Sequence, residues 1–376
     1  MALLALLLLL ILAGSLVYCA LVLYAAHHYR SARPLALRVA VPISVLKPLA
    51  GADEGLEENL RSFFEQDYPD FELLFAVRHT EDPAVAVLMK LRQEHPEVLA
   101  RMIVTGQPSY PNAKVYSLDH MLREAQHDLV VMSDSDIRVM PGMLRVIAAE
   151  FQDPRLGLTT CPYRAVPGRS FWSQLEAIGM NTEFWGGVLV ARIVEGMKFA
   201  VGPTIVARKA ALASIGGFDA VRDYLAEDFV MGKLVHERGW SVGLSSYVIE
   251  HRIGSQDLRA NMRHRLRWAR STRRSRPGGY VGQLFTNPLP IALLLIAAQP
   301  SWWPLLALAG ALRALAAWAV AGPVLSDRLV VARWWLVPVQ DLLSSVIWVA
   351  GFFGNTITWR GRSYYLQADG RFEFRG

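Results

Sequence analysis

The residues of this chain that could do chemistry fall into a few short groups. The first is Asp134 and Asp136, in the stretch 128–139 reading DLVVMSDSDIRV. Leu129 to Met132 is an apolar run of strand length that stops abruptly in Ser133-Asp134-Ser135-Asp136. Side chains two apart on an extended segment point the same way, so both carboxylates are expected to face one point past the strand end. In open α/β sheets that edge is where ligands sit. Two converging carboxylates suit a hard divalent cation, which prefers oxygen ligands. The plainer alternative is a strand-to-turn exit, where Asp and Ser are common. Asp82, after a second apolar run, stands at a comparable strand end or opens an Asp-Pro helix. Glu227 and Asp228 open another helical stretch, where the helix dipole alone would favour carboxylates. The run 256–274 (QDLRANMRHRLRWARSTRR) is the most basic, and at helical spacing Arg259, Arg263, Arg267 and Arg270 share a face. A diphosphate clamp, an anionic-lipid face and a nucleic-acid face are its candidate uses. Nucleic acid is set aside because a membrane-anchored chain has little access to it.

These groups need a scaffold to bring them together. Strands are expected at 43–46, 72–77, 102–105, 129–132 and 156–161, and helices at 55–66, 83–94, 113–125 and from 225 to 238. Strands alternating with helices predict a mostly parallel sheet covered on both faces. No GxGxxG or GxxxxGK[ST] follows a strand, which argues against a dinucleotide-binding Rossmann enzyme and a P-loop NTPase. No GxSxG elbow and no HExxH occurs either.

The chain is 376 residues, 53% hydrophobic and 19% charged, which is too apolar to be wholly soluble. Its mean hydropathy is +0.24, and its pI near 9.4 fits a surface that meets anions. The two cysteines, Cys19 and Cys161, suggest neither a disulfide framework nor a zinc cluster. From Ala2 to Ala26 no residue is charged, which predicts a retained transmembrane helix over 1–30 rather than a cleaved signal. His27, His28, Arg30, Arg33 and Arg38 follow it and place the next domain, 39–279, on the cytoplasmic side. From Pro288 to Phe353 the chain is again apolar. Pro290 to Ala298 is too short to span; Trp302 to Val320 and Trp334 to Phe353 are long enough. The latter two carry Arg313 and Asp341, which need a partner or a polar cavity, and a helix–helix pair is one candidate. The membrane and interfacial helices are thus expected over 285–358. Arg360, Arg362, Arg371 and Arg375 predict a cytoplasmic tail over 359–376.

Taken in order, SVLKPLAG (44–51), FFEQDYP (63–69), Glu81-Asp82-Pro83, SDSDIRV (133–139), AEDFVMGK (226–233), LRWAR (266–270) and TITWRGRSYY (356–365) resemble the ceramide glucosyltransferase family and its bacterial members. The resemblance implies a membrane-anchored, inverting glycosyltransferase: an α/β, GT-A-like nucleotide-diphospho-sugar transferase domain with N- and C-terminal transmembrane helices. The family pattern is three Asp sites followed by (Q/R)xxRW. These fall on Asp82, Asp134 and Asp228, the last as catalytic base, and on Arg267 and Trp268. His264 stands where the family has Gln or Arg. Asn112-x-Lys114 resembles a nucleotide-side motif.

The resemblance implies that a UDP-sugar donor lies across the sheet edge, with Asp82 on the uridine side and Lys114 and Glu227 among the substrate-binding residues. Asp134, with Asp136, would hold Mg²⁺ or Mn²⁺, and Arg267 and His264 would steady the leaving diphosphate. Trp268 would close the pocket and Asp228 would deprotonate a membrane lipid acceptor. Ceramide with glucose is the first expectation. A hopanoid polyol or other lipid, with glucose or N-acetylglucosamine, is the alternative, and a processive polysaccharide synthase the second. The bilayer is the expected partner and nucleic acid is not. Ala-, Arg- and Leu-rich usage suggests a GC-rich bacterium and hence its inner membrane, and the apolar segments at both ends predict a multi-pass protein.

Overall fold

The computed structural model describes residues 2–32, 35–359 and 361–375. Arg33 and Arg360, counted above among the cationic flanks, lie outside these residues. The central sheet has seven strands: β1 (Ile43–Pro48), β2 (Phe71–Val77), β3 (Leu99–Val104), β4 (Leu129–Ser133), β6 (Leu156–Thr160), β8 (Thr204–Arg208) and β9 (Ser241–Leu244). Their order is β3-β2-β1-β4-β8-β6-β9. β5 (Ile137–Arg138), β7 (Tyr163–Pro167) and β10 (Ile249–Gly254) form a second, three-stranded sheet in the order β5-β10-β7. β1 pairs in parallel with β2 and β4, while β8 runs antiparallel to both β4 and β6. The sheet is therefore mostly parallel, with one reversed strand at its middle. The apolar runs explain the layering: Ile43, Val45, Leu46, Val130 and Val131 are fully buried, because a parallel strand is covered on both faces. β1, β2 and β4 end on one edge, so the chain segments after Pro48, Val77 and Ser133 meet there.

The anchor helix Ala2–Ser31 packs on the helices Trp185–Val194, Pro288–Ala298 and Trp303–Ala319. Its foot is tied to the sheet domain: Tyr29 Oη donates to the Ser245 carbonyl at 2.6 Å. Among the described residues two helices, Leu3–Ser31 and Pro300–Val324, are long and apolar enough to cross a membrane. Pro277–Phe285 and Pro288–Ala298 form a pair bent by 53°, which has the form of a broken span or a re-entrant loop. The expected crossing over Trp334 to Phe353 is not one long helix. A 3₁₀ turn at Trp334–Leu336 precedes a helix at Val337–Gly351 of only 15 residues. That helix is about 22 Å long, short of a hydrocarbon core of about 30 Å. Arg313 and Asp341 do pair, through two 2.8 Å bonds, and Thr182 Oγ1 accepts from Arg313 at 3.3 Å. Neither charge is left alone in the apolar bundle.

The helix Glu227–Glu237 carries the Glu227-Asp228 pair and lies directly on the chain at 199–200. A Cβ at Gly232 would come within 2.3 Å of the Ala200 nitrogen and 2.5 Å of the Phe199 carbonyl carbon. Backbone cannot yield as a flexible side chain does, so only glycine allows this approach. Gly232→Ala is expected to lower stability by about 1–3 kcal/mol, the usual range for overpacking. A thermal melt in detergent checks this, and an unshifted midpoint would contradict the close approach.

Candidate active site

The two carboxylates after β4 do not lie on an extended strand. Residues 134–136 form a turn between β4 and β5, and the Ile137 N–H donates to the Asp134 carbonyl at 3.3 Å. Their shared environment comes from that turn, not from the strand's alternation. Lys47, fully buried at the end of β1, holds the turn from below. Its Nζ donates to the Asp134 carbonyl at 2.8 Å and to Ser133 Oγ at 3.4 Å, and lies 3.6 Å from the Phe63 ring centre. Burial pushes the Lys47 ammonium down to about 7, against the pull of Asp134 and Asp136. On the other side His251 Nε2 meets Asp136 Oδ2 at 3.1 Å. Burial works against charge on both, yet each favours the other's ion. The Asp136 carboxyl is held below its ordinary range and the His251 imidazole above its own.

Lys114 stands at the centre of the site. It sits in the first turn of the helix Ala113–Glu124, whose N-cap Asn112 accepts from the Val115 N–H. Its Nζ is 2.8 Å from Asp134 Oδ1 and 3.3 Å from Glu227 Oε1, and donates to the Gly202 carbonyl at 3.3 Å. Burial disfavours the ammonium, but Asp134 and Glu227 outweigh it and hold it well above its ordinary range. Burial pushes the Asp134 carboxyl up; Lys114 opposes that shift and Asp136 reinforces it. Asn112 Nδ2 reaches the Tyr224 carbonyl at 2.9 Å and Glu227 Oε2 at 3.4 Å. Asp228 follows, partly open to the cleft yet densely surrounded. Burial first, and the neighbouring Glu227 charge second, push its carboxyl up to about 7. Gly202 makes room for it: a Cβ there would stand 2.8 Å from Asp228 Oδ2.

Asp82 is on the same sheet edge and acts as a clasp. Its Oδ1 accepts from the Ala84 N–H at 2.9 Å, capping the helix Pro83–Glu94, and both oxygens accept from the Gly51 N–H at 3.0 and 3.1 Å. The Asp-Pro helix start is therefore real, and it also fixes the loop after β1. The helix Leu258–Ser275 carries the basic run. His264 Nδ1 lies 2.6 Å from Glu176 Oε1, and Asn261 Nδ2 donates to Glu176 Oε2 at 2.6 Å. Arg267 lies 5.8 Å from the Trp359 ring centre. Arg270 and Arg273 donate to main-chain carbonyls between Phe352 and Thr356, and Arg274 to Asn355 Oδ1. Of the four arginines expected on one face, Arg270 bonds to this C-terminal segment and Arg267 lies against its Trp359, while Arg273 and Arg274 add contacts from the end of the helix.

Reasoning from the sequence missed His251, Glu176 and the role of Lys47. Rings link the first two: His251 to Tyr163 at 5.1 Å, Tyr163 to Phe184 at 5.8 Å, Phe184 to Trp268 at 5.9 Å, and Trp268 to His264 at 5.4 Å. This arc walls the space between the carboxylate turn and the basic helix. Phe184 ends a π-helical turn at Met180–Phe184, a feature with no simple sequence signal. His251 stands between Glu250 and Arg252, and Glu176 follows Ser173 and Gln174, so nothing in their local pattern set them apart.

The family profile described as Glycosyl transferase family 21 matches residues 7–372. The chain belongs to this family. It is 32% identical over 207 residues to ceramide glucosyltransferase 1 of Caenorhabditis elegans, covering 54% of this chain and 44% of that protein. It is 27% identical over 229 residues to ceramide glucosyltransferase 3 of the same organism, covering 61% and 50%. The matched stretch therefore spans about half the length of these curated relatives. The fold is that of a solved mannosyltransferase from Pyrobaculum calidifontis in complex with GDP-Man and Mn²⁺. The likeness covers 93% of this chain and 97% of that one, at a TM-score of 0.57 and 18% identity. The GT-A-type sheet expected from the motifs is the sheet found.

The candidate site has donors suited to a divalent cation. Asp136 Oδ1 is buried without a hydrogen-bond partner. Asp134 and Asp136 supply two carboxylates, and no group of three or more His, Cys, Asp or Glu gathers for a metal among the described residues. One or two carboxylates completed by substrate phosphate and water is how Mg²⁺ is commonly held.

Lys114→Met would leave Asp134 and Glu227 without their shared cation. The pair is half-buried, so a loss of stability of about 1–3 kcal/mol is expected, below the cost of breaking a fully buried pair. Carboxylates stranded in this way have raised folded-state pKa values, so the deficit against wild type should shrink as pH falls. Denaturant titrations at pH 5 and pH 8 check it; a deficit that grows in acid would refute the account.

Proposed function

We propose that this protein transfers a hexose from a UDP-sugar to the primary hydroxyl of a membrane lipid with inversion. Glucose and ceramide are the pair to which its relatives' names point. The observation that carries the reading is Asp228: a carboxyl pushed up to about 7, at a helix start, joined through Glu227 and Lys114 to the carboxylate turn. A base tuned near the working pH is what deprotonation of an alcohol needs. Asp82 lies toward the uridine. Asp134 and Asp136 would hold Mg²⁺ or Mn²⁺, which when bound would supply charge neutralisation at the diphosphate. Arg267, His264 and Lys114 add positive charge or hydrogen bonds on the leaving side, Glu227 steadies Lys114, and Trp268 closes the wall on the sugar. Asp228 takes the hydroxyl proton, and the lipid oxygen bonds to the anomeric carbon as the bond to UDP breaks. One displacement turns a UDP-α-sugar into a β-glycoside. The apolar helices hold the catalytic domain against the cytoplasmic face of the bilayer, in a multi-pass arrangement suited to a bacterial inner membrane.

UDP release by the detergent-purified protein tests this, crossing UDP-glucose, UDP-galactose and UDP-N-acetylglucosamine with ceramide, diacylglycerol and a hopanoid polyol, with and without Mn²⁺ or Mg²⁺. Ceramide-dependent release from UDP-glucose is the expected result; release with another pair would move the substrate, and release without lipid acceptor would oppose the reading. Because the base form of Asp228 exists above its pKa, kcat should rise between about pH 6 and 8 and then level. Asp228→Asn should lose about 10²–10⁴-fold in turnover and also lose that rise. Full residual activity would remove Asp228 from the role.

A further inference from the structure

The C-terminal motif TITWRGRSYY has no place in the transfer chemistry described above. It nevertheless supplies β11 (Thr356–Trp359) and most of β12 (Arg362–Leu366), which with β13 (Phe372–Phe374) form a three-stranded sheet. This small sheet touches both halves of the site. On one side Trp359 lies against the Arg267 guanidinium, 5.8 Å from ring centre to Cζ, and Arg270 Nη1 donates to the Thr356 carbonyl at 2.5 Å. On the other side, Arg371 forms an antiparallel bridge to Tyr224, and the Phe372 N–H donates to the Asp223 carbonyl at 2.9 Å. Leu225 packs into the sheet's own apolar cluster with Ile357, Tyr364, Leu366 and Phe372. Residues 223–226 lead straight into Glu227 and Asp228. The same loop is held from within by Asn112, which donates to the Tyr224 carbonyl at 2.9 Å.

Two elements far apart in sequence, the base loop and the arginine–tryptophan helix, thus rest on one small sheet. Trp359 belongs to both contacts: its ring packs at 5.9 Å on Phe372, in the strand that bonds to Asp223, and also lies beside Arg267. We infer that the C-terminal sheet sets the placement of Asp228 relative to Arg267, with Trp359 as the positioning residue. This inference rests on the roles proposed for those two residues. An aromatic face beside a guanidinium attracts it and restrains its orientation. A misplacement of about 1 Å in such a pair can cost 10²-fold in rate.

The test uses the full-length protein in detergent with Trp359→Ala, Trp359→Phe, Arg267→Ala and the double variant Trp359→Ala/Arg267→Ala. Trp359→Ala is expected to lower kcat at least 10-fold with donor KM within about threefold, and Trp359→Phe to recover most of the loss, because positioning is felt in the transition state. In the Arg267→Ala background, Trp359→Ala should cost much less, since coupled residues are not additive. Hydrogen exchange supplies a readout that needs no turnover: amides 223–228 should exchange faster in Trp359→Ala than in wild type. Wild-type kcat together with unchanged exchange would overturn the inference, as would equal losses in both Arg267 backgrounds. Wild-type protein that releases no UDP from any pair would count against the proposed function, and unchanged exchange over 223–228 would then overturn the positioning claim on its own.

Discussion

Much of this site depends on one ammonium group. Asp134 and Glu227 come from different parts of the chain and meet at the same sheet edge, Asp134 half-buried and Glu227 buried, with Asp228 beside them. Carboxylates cannot be gathered in this way unless something offsets both their desolvation and their mutual repulsion. Lys114 does so by touching Asp134 and Glu227 directly, while the Gly202 carbonyl takes another of its protons. Placement of the helix Ala113–Glu124 therefore decides where the carboxylates can stand. The Asn112 cap serves the same end, ordering the first turn that carries Lys114 and reaching across to Glu227. Lys47 plays a parallel part below the turn, holding main chain where Lys114 holds side chains.

What could be read from the sequence follows from how local each signal is. The strands with continuous apolar runs, β1, β2 and β4, were legible because burial on both faces leaves no polar alternation. β3 lies three residues earlier at its start than the expected 102, since Leu99 and Arg101 sit in a half-exposed edge strand whose pattern is weak. Asp82, Asp134 and Asp228 were legible by motif, and each lies at a strand edge or helix start in the fold. The pleat argument for Asp134 and Asp136 failed because the strand ends at Ser133. The two residues share a site through a turn, whose geometry periodicity does not encode. His251 and Glu176 were invisible because their meaning comes from partners 115 and 88 residues away. The basic run was legible as a helix but not in its use, since the arginine contacts to 352–356 depend on where the chain returns.

The membrane portion follows similar logic. Arg313 and Asp341 each looked like a defect in an apolar segment, and together they form a two-bond pair with Thr182. Such a pair favours one register of the surrounding helices, because any slip leaves a charge unmatched. The helix Val337–Gly351 then lies as a short element whose outward residues Val339, Leu342, Val346 and Val349 are all apolar. Its far end meets the arginines of the basic helix, so the apolar bundle and the basic helix share a joint.

The tie between Tyr29 and Ser245 has a further mechanical meaning. A free anchor of 30 residues could slide along its axis to suit the lipid around it. Clamped at its foot, it cannot. At about 1.5 Å per residue it is longer than a hydrocarbon core of about 30 Å, so the excess must be taken up by tilt or by thickening of the surrounding lipid. Whatever tilt the anchor takes is passed to Ser245, which follows directly on β9 at the rim of the central sheet. The bond from Tyr29 to Ser245 thus makes the rim of the central sheet and the foot of the anchor one mechanical unit.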